Sequence, residues 1–171
     1  MERILIIGCS GSGKSTLARA LKDKLGLPVV HLDRLWWTGE WENVSREEFD
    51  ARLEQVLEGE NWIIDGNFSR TLPRRLECCD TVIWLDLPVL VCLWGVTKRV
   101  LQNHGKSRPD MGGDCPERFD SRKVELYKAI WAFKKRNKAT IEELLSKTPA
   151  RVYRLKTRRQ VKRFLEQISH S

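Results

Sequence analysis

The stretch Ile4-Leu-Ile-Ile-Gly-Cys-Ser-Gly-Ser-Gly-Lys-Ser-Thr16 constrains this chain more than any other. Its four branched apolar residues are too few for a helix and end at a glycine, so they read as a buried strand. The Walker A spacing Gly8-x-x-x-x-Gly13-Lys14-Ser15 follows, then Leu17, Ala18, Leu21 and Leu25 at helical spacing. Strand, glycine loop and helix in this order are the context a phosphate-binding loop requires. Gly8, Gly11 and Gly13 let the backbone take positive φ and turn its N–H groups around a phosphate chain. A helix starting near Lys14 aims its partial positive charge at the same point. Lys14 would reach the outer phosphates, and the Ser15 hydroxyl would hold Mg²⁺. The expected cradle is Gly8, Ser10, Gly11, Ser12, Gly13, Lys14, Ser15 and Thr16, and its implied ligand is a nucleoside triphosphate.

With 171 residues the chain fits one domain with a sizeable core. No apolar run approaches the roughly 20 residues that span a bilayer, and Ile4–Ile7 is too short for the core of a secretion signal. Five cysteines, an odd number without a CxxC pair, suit a reduced, cytoplasmic chain. Cys115 with His104 and Asp114 lacks the paired spacing of a zinc site. The net charge of +8 is uneven: residues 121–171 hold 15 Lys/Arg against 4 Asp/Glu. Such a tail can mean nucleic acid. It can equally mean solvated helix faces plus arginines that grip phosphates, a reading favoured by the apolar residues interleaved at helical spacing.

Val29–Asp33 reads as a second strand ending on a carboxylate. In a doubly wound parallel sheet that edge binds ligands, so Asp33 suits a general base or an outer Mg²⁺ ligand, against the plain alternative of a turn or cap. Residues 34–60 look like an insertion over the site. Trp36, Trp37 and Trp41 could stack a base or sugar there, or close a hydrophobic cluster. Ser45 and Glu48 make a capping box for the helix after them, and Gly59 ends it. Trp62–Asp65 is a third strand whose final carboxylate suits the metal. Arg70, Arg74 and Arg75 follow, within reach of an anionic acceptor, the last two partly on a helix surface. Thr81–Asp86 is a fourth strand, and Pro88 opens a helix. The polar, glycine-rich run after Gln102 is long enough to be functional or disordered. Pro116 is expected to begin a long helix with Val124, Leu126, Ile130 and Phe133 inward and a kink near Asn137. Arg151–Leu155 alternates like a fifth strand, and Thr157 with Gln160 caps a final helix.

These landmarks resemble the adenylate-kinase branch of phosphate-loop small-molecule kinases, and within it the DNA topology modulation proteins. The residues that carry the resemblance are Gly8–Thr16, His31-Leu-Asp33 with its tryptophans, Trp62-Ile-Ile-Asp-Gly-Asn67, Asp80–Pro88 and Glu117-Arg-Phe-Asp120. It implies a three-layer α/β/α P-loop NTPase fold with a five-stranded parallel sheet of the nucleoside/nucleotide kinase type. It also implies an acceptor-side insertion at 34–60, a lid at about 103–118, and ATP- and Mg²⁺-dependent transfer of a phosphoryl group to a small nucleoside- or nucleotide-like acceptor. Under it Lys14, Arg99, Arg108, Arg118 and Arg122 neutralise the transferring group and Asp33 is the base. Ser15 and Asp65 serve the metal, and Asp33, Arg34, Trp36, Trp37 and Arg70 line the acceptor. The family's name and the basic C-terminal region imply an alternative, a nucleotide-gated DNA-binding protein.

Three departures argue against AMP as acceptor. Asp33-Arg34 stands where adenylate kinases carry a Thr-Gly pair, and Arg70 falls one place late in the third-strand motif. Gly95 occupies the position of an arginine, which would leave base stacking to another group such as Trp94.

Overall fold

Alternation along the first strand decides the layering. In a computed structural model that describes residues 1–168, apart from the side chain of Lys134, strand β1 spans Arg3–Gly8. Leu5 and Ile7 bury into one apolar cluster while Ile4 and Ile6 bury into another on the opposite face. A strand buried on both sides belongs inside a parallel sheet, and the sheet is parallel throughout. Its order is β2 (Val29–His31), β5 (Trp62–Asp65), β1, β6 (Thr81–Leu85), β7 (Arg151–Leu155).

Helices α1 (Lys14–Leu25) and α7 (Arg158–Gln167) cover one face through Leu17, Leu21 and Phe164. On the other face lie α3 (Arg46–Leu57), α4 (Leu72–Cys78) and the later turns of α6 (Ser121–Lys147), through Phe49, Leu53, Leu72, Leu76 and Ile141. A third cluster joins Val96 and Val100 of α5 (Val89–Gln102) to Cys9 and Ile130. The caps behave as their sequences require: Ser45 accepts from the Glu48 N–H at 3.1 Å and Thr157 from Gln160 at 3.2 Å. Among the described residues no helix is long and apolar enough to cross a membrane.

Several expectations are corrected. β2 stops at His31, and Leu32–Trp36 form a short helix α2, so Asp33 stands in the first turn of that helix, two residues past the end of the strand. Between α2 and α3 lies a two-stranded ribbon, β3 (Trp37–Gly39) with β4 (Glu42–Asn43). The long helix α6 begins at Ser121, not Pro116, because the Asp120 side chain caps it by accepting from the Lys123 N–H. It runs through Asn137 unbroken. Val124 does not face the core; it and Trp131 are exposed on the outer side.

The connection from 103 to 120 has no helix. A parallel bridge between His104 and Glu117 and an antiparallel one between Ser107 and Pro116 close it into an arch. Its tip lies against the β3–β4 ribbon: the Glu40 N–H donates to the Asp114 carbonyl at 2.6 Å, and a side chain at Gly112 would overlap the Trp37 carbonyl.

The helix α5 meets the first loop with equal closeness. A Cβ at Gly95 would overlap the Gly11 carbonyl, and one at Gly11 would overlap the Cys92 carbonyl. Gly95 therefore permits a backbone contact that an arginine would prevent. Gly95→Ala gains helix propensity worth about 1 kcal/mol, but overpacking costs about 1–3 kcal/mol and displaces the loop. We expect a lower melting midpoint and weaker nucleotide binding; a raised midpoint would show that propensity outweighs the contact.

Candidate active site

The loop after β1 is shaped by positive φ at Gly8 (148°), Gly11 (77°) and Gly13 (94°). Distant elements hold it. The Asn67 side chain, just beyond β5, accepts from the Gly8 N–H at 3.0 Å. Arg158, at the start of α7, donates to the Ser12 carbonyl at 2.6 Å and the Gly11 carbonyl at 3.4 Å. Lys14 folds back so that its ammonium meets the Cys9 carbonyl at 3.1 Å.

Asn67 is itself braced. Arg75, fully buried in α4, donates to the carbonyls of Gly66 (3.0 Å), Asn67 (2.5 Å) and Phe68 (2.9 Å). Phe68 has φ of 27°, a strained backbone held by those bonds. Burial pulls the Arg75 pKa down to about 9, which leaves the guanidinium charged at neutral pH. Arg75 is thus a brace inside the fold rather than a surface residue, whereas Arg74 is exposed and pairs with Glu54 and Glu77.

A cavity of about 650 Å³ opens beside the loop. Ser10, Gly11, Gly13, Lys14, Ser15 and Thr16 line it, together with Asp33, Asp65, Asn67, Arg99, Arg108 and Asp110. Asp65 is buried; its Oδ2 lies 2.9 Å from His31 Nδ1, while Oδ1 has no hydrogen-bond partner among the described residues. Ser12 Oγ, within the loop, is likewise buried and unpartnered. Burial pushes the Asp33 carboxyl above its usual range, against the pull of Arg108 and Lys14 and with the help of Asp65 and Asp110. Burial also works against Asp110, but Arg108 and the Ser15 hydroxyl among others hold its carboxyl below the usual range.

The remaining expected site residues lie elsewhere. Arg70 pairs with Asp50 at 2.6 Å on the outer surface. Trp36 packs edge-on against Phe49 and Phe68, closing an apolar cluster, and Trp37 meets Trp41. Arg122 pairs with Asp120 and lies over the Trp41 ring. Arg34 and Arg118 are exposed, and neither lines the cavity. Trp94 is 64% exposed and does not line it either. Sequence reasoning gave no role to His31, Asn67, Asp110, Glu117 or Arg158. The contacts of His31, Asn67 and Arg158 join segments far apart in the chain, and those of Glu117 depend on how the 103–120 connection folds back on α5 and α6.

No family model matches the chain. A shikimate kinase of Persephonella marina is 30% identical over 105 residues, covering 52% of this chain; the chain spans 63% of that relative's length. A solved shikimate kinase from Acinetobacter baumannii, in complex with shikimate, superposes with a TM-score of 0.60 at 16% identity, over 98% of this chain and 90% of that one. A deoxyadenosine kinase from M. mycoides with bound dATP gives 0.55 at 15% identity, over 96% and 97%. The fold is that of the P-loop kinases.

The raised Asp33 carboxyl has a thermodynamic sign. Between the ordinary carboxylate pKa and the raised one, the folded state binds more protons than the unfolded, so stability falls as pH rises through that interval. Asp33→Asn should therefore raise the melting midpoint at pH 7, with the gain shrinking as pH drops into the ordinary carboxylate range. A lowered midpoint at pH 7 would mean that Lys14 and Arg108 outweigh burial.

Proposed function

We propose that the protein is an ATP- and Mg²⁺-dependent phosphotransferase acting on a small nucleoside- or nucleotide-like acceptor. The observation that carries this is the gathering of Lys14, Ser15, Asp33, Asp65, Arg99 and Arg108 around one cavity at the glycine loop. The residues suit the cofactors. Loop N–H groups and Lys14 would take the phosphates, and the Ser15 hydroxyl with the unpartnered Asp65 oxygen would take Mg²⁺ directly or through water. Bound magnesium supplies charge neutralisation among the phosphate oxygens.

The chain's own groups do the rest. Lys14 would exchange the Cys9 carbonyl for the outer phosphates. His31 fixes the orientation of Asp65 from behind. Asp33, made more basic by burial, would accept the proton of an acceptor hydroxyl. Arg99 and Arg108 would counter charge on the transferring group. The reading takes 1–171 as one domain, 34–60 as its acceptor-side insertion and 103–118 as a lid. It leaves out Arg34, Trp36, Trp37, Arg70, Arg118 and Arg122, which do not line the cavity. The similar proteins, named as kinases of shikimate and of deoxyadenosine, support a small acceptor.

A second reading, the nucleotide-gated DNA-binding protein, rests on exposed Arg159, Lys162 and Arg163 along α7. Much of the basic C-terminal charge is paired within the fold, however: Lys123 with Glu117, Lys147 with Glu143, and Arg154 with Asp86 and Glu142. The phosphotransferase is the stronger reading.

Purified protein with ATP and Mg²⁺ should release ADP faster in the presence of at least one member of a nucleoside, nucleotide and sugar panel. No stimulation by any member would reject the reading. Lys14→Ala should abolish transfer while keeping a cooperative melt, because its ammonium meets a backbone carbonyl rather than the core. Asp33→Asn should slow transfer to a hydroxyl by roughly 10²–10⁴. Transfer to an acceptor that is already an ionised phosphate should suffer far less, so the turnover ratio separates the two acceptor classes.

A further inference from the structure

Glu117 is fully buried, and three cations from three segments converge on it. Arg99 of α5 and Arg108 of the 103–120 connection each place Nε 3.0 Å from its Oε1, and Lys123 of α6 pairs with Oε2. Its backbone is fixed as well: its N–H donates to the Lys106 carbonyl at 3.0 Å, and its carbonyl accepts from Gly105 at 2.8 Å. One carboxylate oxygen therefore holds two guanidinium groups side by side against their mutual repulsion. Both arginines line the cavity that contains Lys14, Ser15 and Asp33.

We propose that Glu117 is a positioning residue that sets Arg99 and Arg108 as a paired clamp for the terminal phosphate of a nucleoside triphosphate. The proposal rests on the phosphotransferase reading. A buried ion cluster gains little net stability against its desolvation, so the arrangement is better explained by what it places than by what it stabilises. The local charges agree. Glu117 balances one of its three cations, and Asp110 takes one terminal nitrogen of Arg108 at 2.6 Å. Within the paired cluster three cations face two carboxylates, which leaves one positive charge beside the cavity for an incoming phosphate. Burial and the neighbouring Arg108 both press Arg99 toward losing its proton, and Glu117 opposes them.

Calorimetric titration of the full chain with ATP and with ADP separates positioning from structure. The wild type should prefer ATP, because only ATP offers the third phosphate to the clamp. In Glu117→Gln the affinity for ADP, held by the glycine loop, should persist. The preference for ATP should fall by about tenfold, the loss of roughly one charge-assisted contact. Glu117→Asp keeps the charge and should retain part of the preference. An unchanged preference in Glu117→Gln, an equal loss of ATP and ADP binding, or a wild type without any preference would each overturn the proposal. Should Glu117→Gln not melt cooperatively, Glu117→Asp decides alone, and a wild-type preference there overturns it. A wild type that binds neither nucleotide would instead reject the phosphotransferase reading beneath it.

Discussion

A loop rich in glycine has no shape of its own, and everything proposed for this protein requires that residues 8–16 keep one. The structure holds that loop by backbone contacts that leave no room for side chains. The Gly11 carbonyl lies where a Cβ on residue 95 would stand, and the Cys92 carbonyl where one on residue 11 would stand. Asn67 fixes the loop's first amide and Arg158 takes two of its carbonyls. Conformational freedom that would otherwise be lost on binding phosphate is lost during folding instead, which is how a cradle becomes preorganised.

Charge follows the same logic. The cavity mixes acids (Asp33, Asp65, Asp110) with cations (Lys14, Arg99, Arg108), and their neighbours set the state of each. Asp33 is pushed toward protonation by burial, while Asp110 is held ionised by Arg108 and Ser15. Two carboxyl groups in one cavity are thereby driven apart in character, the condition under which one can serve as base while the other remains a fixed charge.

The sheet and the loop were legible in the sequence because they are local. Ile4–Ile7, Trp62–Asp65 and Thr81–Leu85 are short apolar runs with clear ends, and the glycine spacing of residues 8–13 has one physical use. Two boundaries were not legible. Leu32–Trp36 carries a strand-like start, yet the chain turns helical so that Trp36 can reach Phe49 and Phe68. Pro116 is a good helix opener, but the Glu117 carboxylate and carbonyl are committed to other segments, so α6 waits for the Asp120 cap. The arginines failed for a related reason. Nothing local distinguishes Arg70, paired with Asp50 outside, from Arg75, buried beneath the loop; only the packing of α4 decides.

The bond from Arg158 to the Ser12 carbonyl joins residues 146 positions apart. Synthesis reaches the glycine loop long before it reaches the loop's far support on α7. While α7 is still in the exit tunnel, β1 and α1 lack the Phe164 that covers them and the cradle lacks one of its braces. The loop therefore cannot reach its braced form until the segment that carries Arg158 has emerged and folded back onto it.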